Sequence, residues 1–333
     1  MFVARVLFPQ PPFGFMTIMC RMTLPKGNVV SMVFGLCKTT EAAIKSPFGR
    51  FAHCYTPEMQ VAYFKMHGTG NEIHVVDQRE NNLPPPDPSR VRELGNEVTG
   101  PGFDQLMWVG RPEDPQHAAN YRVFNADGSE VQQCGNGVRC VARILAATPG
   151  HPTRFTLESP AGPVSARVDD ELVSVSMGRP EFEPDRIPFV ADSRSDRYTL
   201  DLDGQPLEIC VVSMGNPHCV LEVPDVHTAP LMELGPMIEH HARFPERCNV
   251  GLMKIVDSAN FYLRVLERGV GETLACGTGA CAAVVSGQAL ERLGERVTVR
   301  LPGGEVVVSW RGDTEPVWLT GNAESISKGT IDL

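Results

Sequence analysis

Cys134-Gly135-Asn136-Gly137-Val138-Arg139-Cys140-Val141-Ala142 is echoed 142 residues later by Cys276-Gly277-Thr278-Gly279-Ala280-Cys281-Ala282-Ala283-Val284. Each run is a cysteine, a G-x-G and an Ala/Val-rich apolar stretch that reads as a helix. The echo extends upstream. Arg122-Val123-Phe124-Asn125 ends nine residues before the first cysteine, and Arg264-Val265-Leu266-Glu267 ends nine before the second. A strand, a turn, a cysteine and a helix are thus laid down twice. Two matched thiols at two helix starts predict one site between two similar halves, with a sulfur on each side.

Working outward, the helices 138–147 and 280–290 are apolar nearly all round, so both are expected to be buried. Two further helices are expected, over 89–98 with Ser89 as N-cap and over 231–240. The remaining signals are short strands, including 60–64, 73–76, 106–109, 121–124, 154–157, 162–168 and 172–177. In the second half they are 207–214, 218–223, 249–255, 260–266 and a hairpin of 297–301 with 305–310 around Pro302-Gly303-Gly304. Strands and helices do not alternate, so a doubly wound parallel sheet fits poorly. The pattern predicts a sheet wrapped on a helix, made twice, with a domain crossing at Gly178-Arg179-Pro180.

With 333 residues, 42% hydrophobic and 21% charged, the chain is long enough for two domains, each with a core. A formal net charge of −10 argues against nucleic acid as a partner. No apolar run approaches the roughly 18 residues of a membrane helix. The ten cysteines contain no C-x-x-C pair, which disfavours zinc ribbons and thioredoxin-like sites. They read as reduced thiols in a cytoplasmic protein. Residues 1–58 hold only two acidic residues, Glu41 and Glu58. This segment reads as a poorly ordered extension or an over-long start before Met59, its acid-poor balance leaving a transit peptide open.

A thiolate is favoured at a helix N-terminus, where unpaired N–H groups and the helix dipole hold negative charge. The glycines let those N–H groups approach an anion closely. Two such cradles could grip one carboxylate, with Cys134 and Cys276 on opposite faces of the adjacent carbon. One face then loses a proton while the other receives one. Cys140 and Cys281, inside the helices, read as core residues. Cys210, Cys219 and Cys248 read as structural thiols, Arg139 as half of an ion pair, and His67 as polar surface.

Several blocks carry a family resemblance. They are Phe64-Lys65-Met66-His67-Gly68-Thr69-Gly70-Asn71, Asn125-Ala126-Asp127-Gly128-Ser129-Glu130, Cys134 through Cys140, Gly215-Asn216-Pro217-His218, and Glu267-Arg268-Gly269-Val270-Gly271-Glu272-Thr273 through Gly279. In this order they resemble the diaminopimelate epimerase family, over roughly 59–333. The resemblance implies an α+β fold of two pseudo-symmetric domains, each a mostly antiparallel sheet rolled around a central helix, with the active site in the cleft. The expected bounds are 59–178 plus 322–333 for the first domain and 179–321 for the second. It also implies epimerisation of LL- to meso-2,6-diaminopimelate without pyridoxal phosphate, other cofactor or metal, on the route to lysine and peptidoglycan.

By the same resemblance Cys134 and Cys276 are the acid/base pair, and His218 and Glu267 tune the thiols. The implied substrate contacts are Asn71, Gln105, Asn125, Gly135, Asn136, Asn216, Asn249, Glu267, Arg268, Gly277 and Thr278. Among these, Arg268 suits a distal carboxylate. The partner is then a small molecule, and a homodimer is the family's usual state. Two departures stand out: Glu72-Ile73 replaces the usual Asp-Phe, and Ser327 stands where an aromatic residue is often associated with the dimer contact. The rival readings are a proline racemase or hydroxyproline epimerase, a thiol redox protein, and a non-catalytic amino-acid binder.

Overall fold

The computed structural model describes residues 17–23, 29–35, 60–312 and 314–333. The chain divides into two units, 1–57 and 58–333. In the first, β1 (Thr17–Thr23) pairs antiparallel with β2 (Val29–Gly35). The rest of the segment expected to be poorly ordered lies outside the described residues.

In the second unit the chain runs through β3 (Gln60–Gly68), β4 (Asn71–Asp77), α1 (Pro88–Gly95), β5 (Gln105–Gly110), β6 (Ala119–Asn125), β7 (Glu130–Val131) and α2 (Gly135–Ala146). Then follow β8 (Arg154–Ser159), β9 (Gly162–Asp169) and β10 (Leu172–Ser176). The second pass begins with β11 (Tyr198–Leu202), β12 (Gln205–Ser213), β13 (Pro217–Glu222), α3 (Leu231–Glu239) and β14 (Asn249–Asp257). It continues through β15 (Asn260–Glu267), β16 (Gly271–Thr273), α4 (Gly277–Ala289), β17 (Arg296–Leu301), β18 (Gly304–Ser309) and β19 (Trp318–Asn322). The chain then returns as β20 (Glu324–Asp332) to pair with β3 in the first half.

The duplication read in the motifs is a duplication of the whole ladder. From β3 onward the pairings are antiparallel to β4, parallel to β5, antiparallel to β6, then parallel to β8 and antiparallel through β9 to β10. From β12 the same series runs through β13, β14, β15, β17, β18 and β19. The last strands of the two series, β10 and β19, pair with each other. The ladder therefore reads the same from either end, with two parallel steps in each half among mainly antiparallel ones.

The alternation of each strand sends one face onto a central helix. Val138, Val141 and Leu145 of α2 and Ala282, Val284 and Val285 of α4 share one core with Ile73, Val123, Val265 and Leu319 of the strands. In α4 every residue from Gly279 to Gly287 is buried, which only small and β-branched side chains allow with strands on all sides. The outer faces are covered in parallel fashion. Val91 and Leu94 of α1 pack on Val76, Leu106 and Trp108, while Leu231 and Ile238 of α3 pack on Val211, Leu221 and Val250.

The N-cap of α1 is Asp87, not Ser89. Pro88 takes the first helical position, where its missing N–H costs nothing, and Asp87 accepts from the N–H groups of Ser89 and Arg90. Strands β11, β19 and β20 are absent from the sequence reading. The outer edge of β20 is mostly exposed, so it carries no clean apolar alternation.

Candidate active site

Each cysteine is an N-cap. Cys134 begins α2 at φ −143° and ψ 108°, and Cys276 begins α4 at −126° and 110°. This extended conformation turns the chain sharply out of a strand and leaves the first N–H groups of the helix free. The Gly137 N–H donates to Cys134 Sγ at 3.4 Å, and Thr278 Oγ1 lies 3.5 Å from Cys276 Sγ. The two helix starts are close. A Cβ placed on Gly277 would lie 3.8 Å from Gly135 Cα, and the same Leu319 Cδ2 would meet a Cβ on Gly135 at 2.7 Å and on Gly277 at 2.9 Å. Leu319 on β19 therefore floors both cradles, and a side chain at either glycine would have to displace it. No motif in the sequence pointed to Leu319.

Burial pushes both thiols above the ordinary cysteine range, and the Glu267 carboxylate raises both further. The first-turn N–H groups oppose this: Gly137 and Asn136 at Cys134, Gly279 at Cys276. The same carboxylate thus bears on both thiols. Glu267 itself accepts from Thr273 Oγ1 at 2.6 Å.

The side chains expected to contact substrate follow the same pseudo-symmetry. Ile73 lies opposite Gln105 in one half and His218 opposite Asn249 in the other. Asn71 and Asn216 each sit two residues earlier, so they hold equivalent places. Gln105 pairs with Asn125, and continuing the Val250–Leu266 register sets Asn249 against Glu267. The halves differ in chemistry at these matched positions. The first offers only amides: Gln105 Nε2 donates to Asn125 Oδ1 at 3.1 Å, while the buried acceptors Asn71 Oδ1 and Gln105 Oε1 have no protein partner. The second adds charge. The Arg268 N–H donates to Asn249 Oδ1 at 2.9 Å and its Nη1 to the Glu246 carbonyl at 2.9 Å. The side chain is exposed, with further N–H donors free for a ligand.

His218 is buried, with Nε2 3.0 Å from Asn216 Oδ1 and 3.5 Å from Asn249 Nδ2. Burial, aided by the Arg268 charge, lowers it to about 3, so it is neutral. It links two of the expected substrate contacts; its hydrogen bonds do not reach the thiols. Arg139 makes no ion pair among the described residues. It is fully buried, donating to Thr69 Oγ1 at 3.0 Å and to the Asn322 carbonyl at 3.2 Å. His67, read as surface, pairs with Glu324 at 3.2 Å.

With two N-cap thiols under one carboxylate in hand, comparison with known proteins is direct. The family model described as diaminopimelate epimerase matches residues 63–183 and 210–326, more than half of the chain. The chain belongs to the diaminopimelate epimerase family. It is an isomerase. A diaminopimelate epimerase of Pseudomonas entomophila (strain L48) is 47% identical over 277 residues, covering 83% of this chain and all of that protein. One from Nitrosomonas europaea is 46% identical with the same coverage. Among solved structures, a hydroxyproline epimerase from Agrobacterium vitis superposes with a TM-score of 0.60 at 14% identity, over 82% of this chain and 91% of that one. A phenazine biosynthesis protein of the PhzF family from Enterococcus faecalis gives 0.57 at 15%, over 83% and 100%. At such identities the likeness is one of fold: the diaminopimelate epimerase architecture of two domains of mixed sheet with helices.

Proposed function

We propose that this chain interconverts LL- and meso-2,6-diaminopimelate, with Cys134 and Cys276 as the two acid/base groups. The observation that carries this reading is the pair of N-cap thiols sharing Glu267. One sulfur, as thiolate, takes the α-proton. The other, as thiol, gives its proton to the opposite face of the same carbon. The carbon keeps its substituents and inverts, and the thiolate has changed sides. The desolvation that raises both thiols makes the thiolate a stronger base for a weakly acidic C–H.

The reacting carboxylate is held by the N–H groups of Gly135-Asn136 and Gly277-Thr278, which also stabilise the charge that develops as the proton leaves. The orphaned acceptors Asn71 Oδ1 and Gln105 Oε1 suit a substrate ammonium, which needs acceptors. Asn125, Asn216 and Asn249 complete the polar lining. His218 fixes the last two in place, and Glu267 sets the thiols. Arg268 takes the distal carboxylate as a bidentate pair.

The working domains are 59–178 with 322–333 and 179–321, with residues 1–58 outside the catalytic unit. A homodimer and a cytoplasmic setting complete the proposal; the seven cysteines within residues 60–333 are free thiols, as a reducing compartment would keep them. Among the described residues no helix is long and apolar enough to cross a membrane.

The test is inversion measured on LL-diaminopimelate, L-proline and trans-4-hydroxy-L-proline under reducing conditions. Turnover of the diacid alone supports the proposal, and equal or faster turnover of the ring substrates overturns it. Arg268→Lys is expected to weaken diaminopimelate use about 10- to 100-fold, the worth of a charge-assisted bidentate contact. A monocarboxylic amino acid would show no such loss.

A further inference from the structure

The turn between β3 and β4 is strained. Thr69 and Gly70 join Gly68 to Asn71 as a two-residue hairpin, with φ of 58° and 81°. Two positive φ values in a row suit Asn-Gly or Gly-Gly, and a β-branched residue at the first place is held there only by its surroundings. Thr69 is buried, at 3% exposure, and it is gripped from two sides.

On one side the grip comes from α2. Arg139, five residues after Cys134 and fully buried, donates from Nη2 to Thr69 Oγ1 at 3.0 Å and from Nε to the Asn322 carbonyl at 3.2 Å. A Cβ on Gly68 would lie 3.1 Å from that Nη2 and 3.6 Å from the carbonyl oxygen of Asn136, a residue of the first cradle. The turn is thus seated on the first helix start.

On the other side it meets the second half. A Cβ on Gly303, in the turn between β17 and β18, would lie 2.3 Å from the Thr69 carbonyl oxygen and 3.0 Å from that of Leu274. Both are backbone atoms, so a side chain at Gly303 would force backbone apart. The Gly303 N–H donates to the Leu274 carbonyl at 2.8 Å, and a Cβ on Gly70 would lie 3.5 Å from Leu274 Cδ1. Leu274 precedes Cys276 by two residues. A line of contacts therefore runs from the helix of Cys134 through Arg139, Thr69 and Gly303 to the segment that carries Cys276.

The duplication is broken along this line. Asn216 matches Asn71, so Met214-Gly215 matches Thr69-Gly70, and Gly162 closes the β8–β9 hairpin as Gly304 closes β17–β18. A Cβ on Gly304 would lie 3.4 Å from Thr69 Cγ2, whereas one on Gly215 or Gly162 would meet nothing within 4 Å. Cys281 stands 142 residues after Arg139, so α4 has a small thiol where α2 has the guanidinium.

We propose that Thr69 and Arg139 are positioning residues of the epimerase site: Arg139 ties the Thr69–Gly70 turn to the first cradle, and the turn abuts the segment leading to the second thiol, so that together they set the spacing of the two sulfurs. This rests on the two-thiol reading above. It adds a one-sided strut that the duplicated motif does not contain.

The test is conversion of LL-diaminopimelate in deuterated water by the full chain carrying Thr69→Val, which keeps the branched shape and drops the hydroxyl. The readout is deuterium in recovered LL substrate relative to that in the meso product. The ratio is independent of how much protein is folded, so a purely structural role leaves it unmoved. With the second sulfur displaced, the first exchanges the proton it took with solvent and returns deuterium to the same face. The ratio should rise several-fold, and kcat should fall about 10- to 100-fold, the effect of a displacement on the order of 1 Å between reacting groups. Thr69→Ser, which keeps the hydroxyl, should restore both. Arg139→Gln should resemble Thr69→Val, and combining the two should add little, because both remove the same hydrogen bond.

A Thr69→Val protein with the wild-type ratio and kcat overturns the proposal, as does Thr69→Ser impaired as badly as Thr69→Val. Neither outcome needs Arg139→Gln to fold. If the wild type inverts L-proline instead of the diacid, the substrate reading alone has failed, and the same ratio on L-proline decides this proposal. A wild type that inverts neither sinks the two-thiol reading and this proposal with it.

Discussion

At Glu267 one side chain acts on both of the thiols proposed to react. Its charge raises Cys134 and Cys276 together, so Glu267→Gln should lower the pH inflections of iodoacetamide alkylation at both cysteines, followed peptide by peptide by mass spectrometry. Unmoved inflections would mean that the carboxylate does not face the thiols. The buried histidines give a second residue-scale prediction. His218 and His74 fall from 6.5 to about 3 and about 4 in the folded protein, chiefly through burial. The unfolded chain then binds more protons below pH 6.5. Their contribution is complete above that value and is lost as pH falls through the folded values. Urea midpoints should therefore decline between pH 7 and pH 4. His74→Phe, which can keep the stack on Tyr63 (centroids 4.3 Å apart), should flatten the decline. An unchanged slope would remove His74 as its source. At this scale the sequence was readable where a residue sits in a motif. Arg139 was misread as half of an ion pair, because its partners Thr69 and Asn322 are 70 and 183 residues away and neither is acidic.

For elements, the cysteine-led helices were legible because glycine, cysteine and small apolar residues leave few other readings. Strands β11, β19 and β20 were not, since edge and seam strands are defined by pairing rather than by local pattern. The seam matters to the chemistry, because Leu319 on β19 floors both helix starts. Gly135→Ala and Gly277→Ala would drive a Cβ into Leu319 and displace the cradle N–H groups. Activity should fall by more than the loss of stability explains. Gly287→Ala, far along α4, would meet Leu293 Cδ1 at 2.4 Å. That overpacking should cost about 1–3 kcal/mol in urea unfolding while kcat in the folded protein stays near normal. Equal effects of the two kinds of substitution on kcat would argue against the cradles as the anion site.

At the scale of the molecule, the ladder that reads alike from β20 to β11 gives the proposed site a contribution from both halves. Each half supplies one thiol, one amide set and one helix start. The duplication was visible at the motifs, yet its extent was not, because outside them the two halves share pairing order rather than residues. Residues 58–333 form a unit of their own, and the named relatives match over 83% of the chain and all of their own length. A protein lacking residues 1–57 should therefore keep full epimerase activity, and loss of turnover in a folded truncation would tie the extension to catalysis. The most direct measurement follows deuterium during conversion of LL-diaminopimelate by the full chain in deuterated water, with reductant and no added cofactor. With separate sulfurs on the two faces, the meso product carries deuterium at the inverted carbon while remaining LL substrate stays protiated early in the reaction. Label entering the remaining substrate as fast as the product would mean that a single group serves both faces, and the paired roles of Cys134 and Cys276 would be contradicted.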